Sequence, residues 1–264
     1  MDEFDFGDNS WNQVYWATLT GFVSCLATGL GAIPAHFIHY RQSKVISMST
    51  SFAAGMMISV SILSLAQQGI SLKSKHTMAP TQVIIGLMLG SLFFWWTEKM
   101  VEHYQVEYKG LSKKGILVFI AMLVHSFPEG VAIGTGFATG NFHFGILTAI
   151  AIGIHNIPEG IAISLPLKQD GMSTFRCAVF SILTSVPQPL MAGPAVLLAL
   201  QFEPYIALGL GFAGGAMLFL VLSEMLPDAL AIGGKVATAW GVMLGICTMM
   251  FIMNIFESSY FSLA

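Results

Sequence analysis

Apolar residues fall along this chain in long runs separated by short polar clusters. Eight runs can be read, near 14–38, 45–71, 80–101, 115–139, 143–167, 173–200, 204–231 and 236–261. Each reaches the about 20 predominantly apolar residues that carry an α-helix across a bilayer. Strict polar–apolar alternation, the mark of a membrane β-barrel strand, is missing. The pattern predicts an all-α, polytopic membrane protein with eight transmembrane helices and a single transmembrane domain covering 1–264. The short gaps leave no room for a soluble domain.

Composition supports that reading. Hydrophobic residues make up 55% of the chain and charged ones 9%, against about 25% charged in an average soluble protein. The 11 Lys+Arg and 14 Asp+Glu cannot coat a water-facing surface of this size. A net charge of −3 offers no basic footprint, which excludes nucleic acid as the expected partner. The three cysteines, Cys25, Cys177 and Cys247, are too scattered for a disulfide framework or a CxxC site. The Met-Asp-Glu-Phe-Asp start is acidic and unlike a signal peptide, so the first run is expected to be a retained span.

The basic residues set the expected orientation. With the N-terminus outside, the inner loops hold nine: Arg41, Lys44, Lys99, Lys109, Lys113, Lys114, Lys168, Arg176 and Lys235. The outer side holds two, Lys73 and Lys75. Eight spans then leave both termini outside.

Two internal similarities stand out. His125-Ser-Phe-Pro-Glu-Gly130 and His155-Asn-Ile-Pro-Glu-Gly160 are both His-x-x-Pro-Glu-Gly in mid-run, thirty residues apart. More weakly, Phe52-Ala-Ala-Gly-Met-Met57 resembles Phe212-Ala-Gly-Gly-Ala-Met217. These hexapeptides fall in spans 2 and 7, which run in opposite directions. That fits an inverted repeat of helices 1–3 and 6–8 around helices 4–5. Small residues also recur wherever helices pack closely in lipid, and both readings stand.

An ionisable residue at mid-membrane costs roughly 2.5–3.5 kcal/mol on insertion scales and usually marks function. His125 and Glu129 lie i and i+4 on one helical face, as do His155 and Glu159. Two such faces turned together offer two imidazoles and two carboxylates. That set suits Zn²⁺ and tolerates Fe²⁺, Mn²⁺ or Cd²⁺. Pro128 and Pro158 free the carbonyls of Val124 and Ile154. Such carbonyls are tolerated at this depth only beside protein or a polar cavity. Gly130 and Gly160 let a neighbouring backbone or an ion approach. The rival reading is a pair of interhelical His–Glu hydrogen bonds that fasten the bundle. Hydrolytic metal chemistry is not expected, because the chain has no HExxH.

These residues resemble the ZIP (Zrt-, Irt-like protein) family of divalent metal transporters, and His-Asn-x-Pro-Glu-Gly looks most like its bacterial, GufA-like branch. The resemblance covers the whole chain. It implies Zn²⁺ as transported substrate, with uptake into the cytoplasm. It also implies a mobile helix group (1, 4, 5, 6) moving against a scaffold (2, 3, 7, 8), and a homodimer in the lipid bilayer. The alternative is a membrane metal sensor or structural bundle without transport. The implied primary metal site comprises His125, Glu129, His155 and Glu159, with Met57 or Met56 as a span 2 ligand unless these methionines are plain packing, and Asn156 is the expected asparagine of the second site. The family's second site normally adds an Asn and a helix 6 carboxylate. Here Ser126 and Gln188 stand at those positions, so the second site is expected to be weak. Glu224 and Asp228 resemble an acidic position near the cytoplasmic exit, or else anchor a helix end. His36 and His39 at the inner end of span 1 help release metal, or are ordinary interfacial histidines. His143, at the outer start of span 5, is a candidate to meet incoming ions.

Overall fold

The computed structural model describes residues 10–37, 43–71, 78–103, 113–202 and 205–261, and among these every regular element is helical. The elements are α1 (Ser10–Leu30), α2 (Ala32–Phe37), α3 (Ser43–Ser59), α4 (Gln67–Ser71), α5 (Ala79–His103) and α6 (Lys113–Ala138). They continue with α7 (Phe142–Gln169), α8 (Thr174–Ser185), α9 (Pro187–Gln201), α10 (Ile206–Leu220) and α11 (Leu226–Phe261). A π-helical stretch at Val60–Ala66 joins α3 to α4, and another at Val221–Met225 joins α10 to α11.

Six helical stretches among the described residues are long and apolar enough to cross a membrane: Ser10–Phe37, Ser43–Ser71, Ala79–Met100, Phe142–Leu165, Thr174–Gln201 and Ile206–Ile255. Several are bent where the sequence demands it. Pro187 lacks an N–H and opens α9 just after α8 ends. Ile206–Ile255 runs 50 residues, which at a rise of 1.5 Å would extend about 75 Å, far more than a hydrocarbon core of about 30 Å. It breaks at Gly234, whose φ of 77° lies in the left-handed region that glycine enters freely.

The helices pack as two groups. In one, α1 lies against α7, α8 and α9, and α6 lies against α7 and α9. In the other, α3 pairs with α11 and α5 pairs with α10. The groups meet where α10 touches α6 and α3 touches α7. Large apolar side chains such as Trp95, Trp96 and Trp240 point outward. Small and hydroxylated residues lie inside, including Ala53, Ala54, Ala213, Ser47, Ser51 and Thr28. That distribution suits a lipid solvent, where close backbone approach rather than water exclusion drives helix pairing.

The two weakly similar hexapeptides make matching contacts. A Cβ added at Gly55 would strike the backbone of Val242 in α11, and one at Gly215 would strike the backbone of Leu87 in α5. Reciprocally, a Cβ at Gly245 would meet the Phe52 carbonyl, and one at Gly90 the Phe212 carbonyl. Both π-helical stretches begin shortly after a hexapeptide, at Val60 after Met57 and at Val221 after Met217.

Candidate metal centre

The two His-x-x-Pro-Glu-Gly copies sit on α6 and α7, which lie side by side. Helical backbone runs unbroken through both, so each His–Glu pair shares a face as the spacing predicts. The motif glycines dock these helices on different neighbours. A Cβ at Gly130 would meet Met191 Cβ at 2.8 Å and the Gln188 carbonyl of α9 at 2.5 Å. A Cβ at Gly160 would strike the Thr28 carbonyl of α1 and crowd Gly31. The space left by each missing side chain is filled by a neighbouring helix.

Glu129, His155 and Glu159 are fully buried, and one ligand atom from each lies within 4.8 Å of the other two. His155 Nε2 and Glu129 Oε1 are 2.7 Å apart. Gln188 Nε2 donates a short hydrogen bond to Glu129 Oε2. Asn156 Nδ2 donates to the Ser24 carbonyl at 2.9 Å and to Gln188 Oε1 at 3.2 Å. Both carboxylate oxygens of Glu159, Nδ1 of His155 and Oδ1 of Asn156 are buried with no hydrogen-bond partner.

Leaving one such atom unpaired costs about 1–3 kcal/mol, and more where it is charged. These four lie on three side chains of one helix face and turn. With His155 Nε2 donating to the Glu129 carboxylate, its Nδ1 presents a lone pair. Imidazole nitrogen, carboxylate oxygen and amide oxygen are the donors that a borderline divalent cation takes. A cation among them would satisfy what the protein leaves unpaired.

The other candidates divide by position. His125 lies one turn before Glu129 on α6, and its side chain is outside the described residues, as is all of His39. Ser126 is buried, but its hydroxyl donates to the Met122 carbonyl of its own helix at 3.1 Å. Met57 is fully buried in the apolar core with Ala53, Ala54 and Val60. Glu224 is half-buried in the second π-helical stretch, and Asp228 is exposed one turn later. His143 is exposed at the start of α7. His36 is exposed, with its Nδ1 2.9 Å from Thr174 Oγ1 and 3.2 Å from Lys168 Nζ. None of these four belongs to the Glu129–His155–Glu159 group.

The structure adds a part that residue types do not reveal. The Ser24 backbone carbonyl anchors Asn156, and no side-chain motif could announce that. Gln188, expected from the resemblance as a weak second-site residue, acts here through its NH₂ toward Glu129.

The family model for ZIP zinc transporters matches residues 105–253. The chain is 31% identical over 229 residues to the zinc transporter GufA of Myxococcus xanthus, covering 83% of this chain and 90% of that protein. It is 30% identical over 255 residues to the zinc transporter ZIPB of Bordetella bronchiseptica, covering 91% and 81%. An Arabidopsis thaliana protein named as a zinc transporter is 34% identical over 255 residues. That match takes in 94% of this chain but 40% of the plant protein's length.

Proposed function

The chain belongs to the ZIP zinc transporter family, and on that premise we propose that it carries divalent transition-metal ions, Zn²⁺ foremost, into the cytoplasm. Members of this family are integral, multi-pass membrane transporters and not enzymes. The observation that carries the proposal is the buried group of Glu129, His155 and Glu159 with its unpartnered acceptors. The ligand set is His125, Glu129, His155 and Glu159, with Asn156 beside them and Met57 of α3 as the span 2 candidate.

We infer eight crossings with both termini outside. The six apolar stretches support this when Ile206–Ile255 is taken as two rods about Gly234 and α6 is added. The matched contacts of Gly55 with Gly215, and of Gly90 with Gly245, favour an inverted repeat of helices 1–3 and 6–8 around 4–5. A homodimer follows from the family resemblance.

A hydrated ion reaching the site exchanges water for these donors. The 2.7 Å between His155 Nε2 and Glu129 Oε1 is shorter than the about 3.3 Å expected between two ligands on a tetrahedral ion with bonds near 2.0–2.1 Å. Those two atoms are therefore not both ligands in this arrangement, and the ion takes His155 through its unpaired Nδ1. Two carboxylates also cancel the charge of one M²⁺, which lowers the cost of holding it in a low-dielectric medium. The group containing α1, α6, α7, α8 and α9 then shifts against the other, and the ion leaves past Glu224 and Asp228 or the inner histidines.

Uptake of labelled Zn²⁺ by proteoliposomes tests this. Saturable flux in the wild type and none in His155→Ala is the expected result. Tight binding without flux would establish the sensor or structural reading instead.

A further inference from the structure

Gln188 is fully buried at the head of α9, and both ends of its amide are engaged. A backbone carbonyl fixes which end is which. Ser24 O can only accept, so the Asn156 NH₂ must face it. The same NH₂ donates to Gln188 Oε1. The Gln188 NH₂ is thereby left facing Glu129 Oε2. The result is a directional chain from α1 through α7 and α9 to α6, ending on a carboxylate that touches His155 with its other oxygen.

Direction has a consequence for ion count. A carboxylate can bridge two cations, one on each oxygen. Here Glu129 Oε1 faces His155 and the candidate metal position, and Oε2 already receives an N–H. A glutamate at 188 could not donate that hydrogen. It would set a second carboxylate against Glu129, and two carboxylates sharing a site need a proton or a cation between them. The unpartnered Oδ1 of Asn156 lies on a side chain that Gln188 also touches.

We propose that Gln188 is a positioning residue that holds Glu129 and, through its amide hydrogen, takes the place of a second cation, so that the protein binds one divalent ion per chain. This rests on the metal-site reading above. It accounts for Gln188 as a donor to a ligand and not as a weak ligand itself.

The test counts Zn²⁺ per chain by native mass spectrometry on purified, detergent-solubilised protein, with affinity from titration calorimetry. The wild type is expected to hold one ion. Gln188→Glu is expected to hold two, a change that a purely structural role could not produce. Gln188→Ala is expected to keep one ion at roughly 10-fold weaker affinity, the size of effect typical of residues that orient a metal ligand. Two tight ions in the wild type would overturn the proposal without any variant, as would a folded Gln188→Glu that binds one ion with unchanged affinity. Glu159→Ala separates the two levels of inference. If it leaves Zn²⁺ binding untouched, the metal-site reading fails. If it removes the ion while the wild type holds two, only the role of Gln188 fails.

Discussion

The two His-x-x-Pro-Glu-Gly copies are almost the same string, yet the fold treats them differently. Glu129 has one oxygen against His155 and the other on Gln188, whereas both oxygens of Glu159 lack a partner. Ser126 turns back onto its own helix, whereas Asn156 reaches across to α1 and α9. Gly130 seats α6 on α9, and Gly160 seats α7 on α1. A motif supplies donor atoms at a spacing, and the neighbouring helices decide which of those atoms are already engaged. The first copy presents a braced carboxylate. The second presents a bare one, with free acceptors on His155 and Asn156.

The largest effect should come from removing the bare side. Glu159→Ala and His155→Ala are expected to lower Zn²⁺ uptake by at least about 100-fold, the upper end of what even orienting groups achieve, with unchanged circular dichroism. Substantial uptake by either variant would dissolve the distinction between the copies.

Next come the motif glycines. Gly160→Ala forces a methyl onto the Thr28 carbonyl and is expected to cost about 1–3 kcal/mol of stability, the usual penalty for overpacking. Gly130→Ala meets Met191 Cβ and the Gln188 carbonyl at slightly greater distance and should cost less. Thermal unfolding in detergent would rank them, and the reverse order would mean that α6 is the more tightly seated helix.

Acid should act more mildly. Metal ligands must shed protons to bind, so protonation competes with the ion. The half-saturating Zn²⁺ concentration for uptake should rise as pH falls, because each ligand must be deprotonated to bind the ion. A flat profile would show that no proton leaves when the ion binds.

The smallest change is expected from Ser126→Asn, which makes the two copies more alike. While Gln188 still donates to Glu129, uptake should move by less than about 2-fold, because the Ser126 hydroxyl serves only its own helix. Kinetics and an ion count on the same preparation would check it. Gain of a second ion would locate the difference between the copies at residue 126 and not at residue 188.

Much of this was legible in order of apolar and polar positions. The run near 80–101 became α5, Ala79–His103, and the run near 143–167 became α7, Phe142–Gln169. In lipid each span must satisfy its own backbone, so the local pattern alone suffices to define a helix. The cluster of Glu129, His155 and Glu159 was legible for a related reason, since ionisable residues inside an apolar run need a strong cause. The π-helical stretches were not, because Val60–Ala66 and Val221–Met225 contain nothing that forbids an ordinary α-helix. Neither were the pairings of α3 with α11 and α5 with α10, which depend on glycines meeting carbonyls far away in the chain.

The sequence by itself determined that this is a helical membrane protein and which few ionisable residues lie inside its apolar runs, because hydropathy and charge are properties of each position alone. Only the tertiary structure decided that Glu129 is braced and Glu159 is bare. That difference rests on a carbonyl of α1, an amide of α7 and an amide of α9, brought together by packing. Hydrogen-bond direction belongs to such a set of neighbours and to no residue within it.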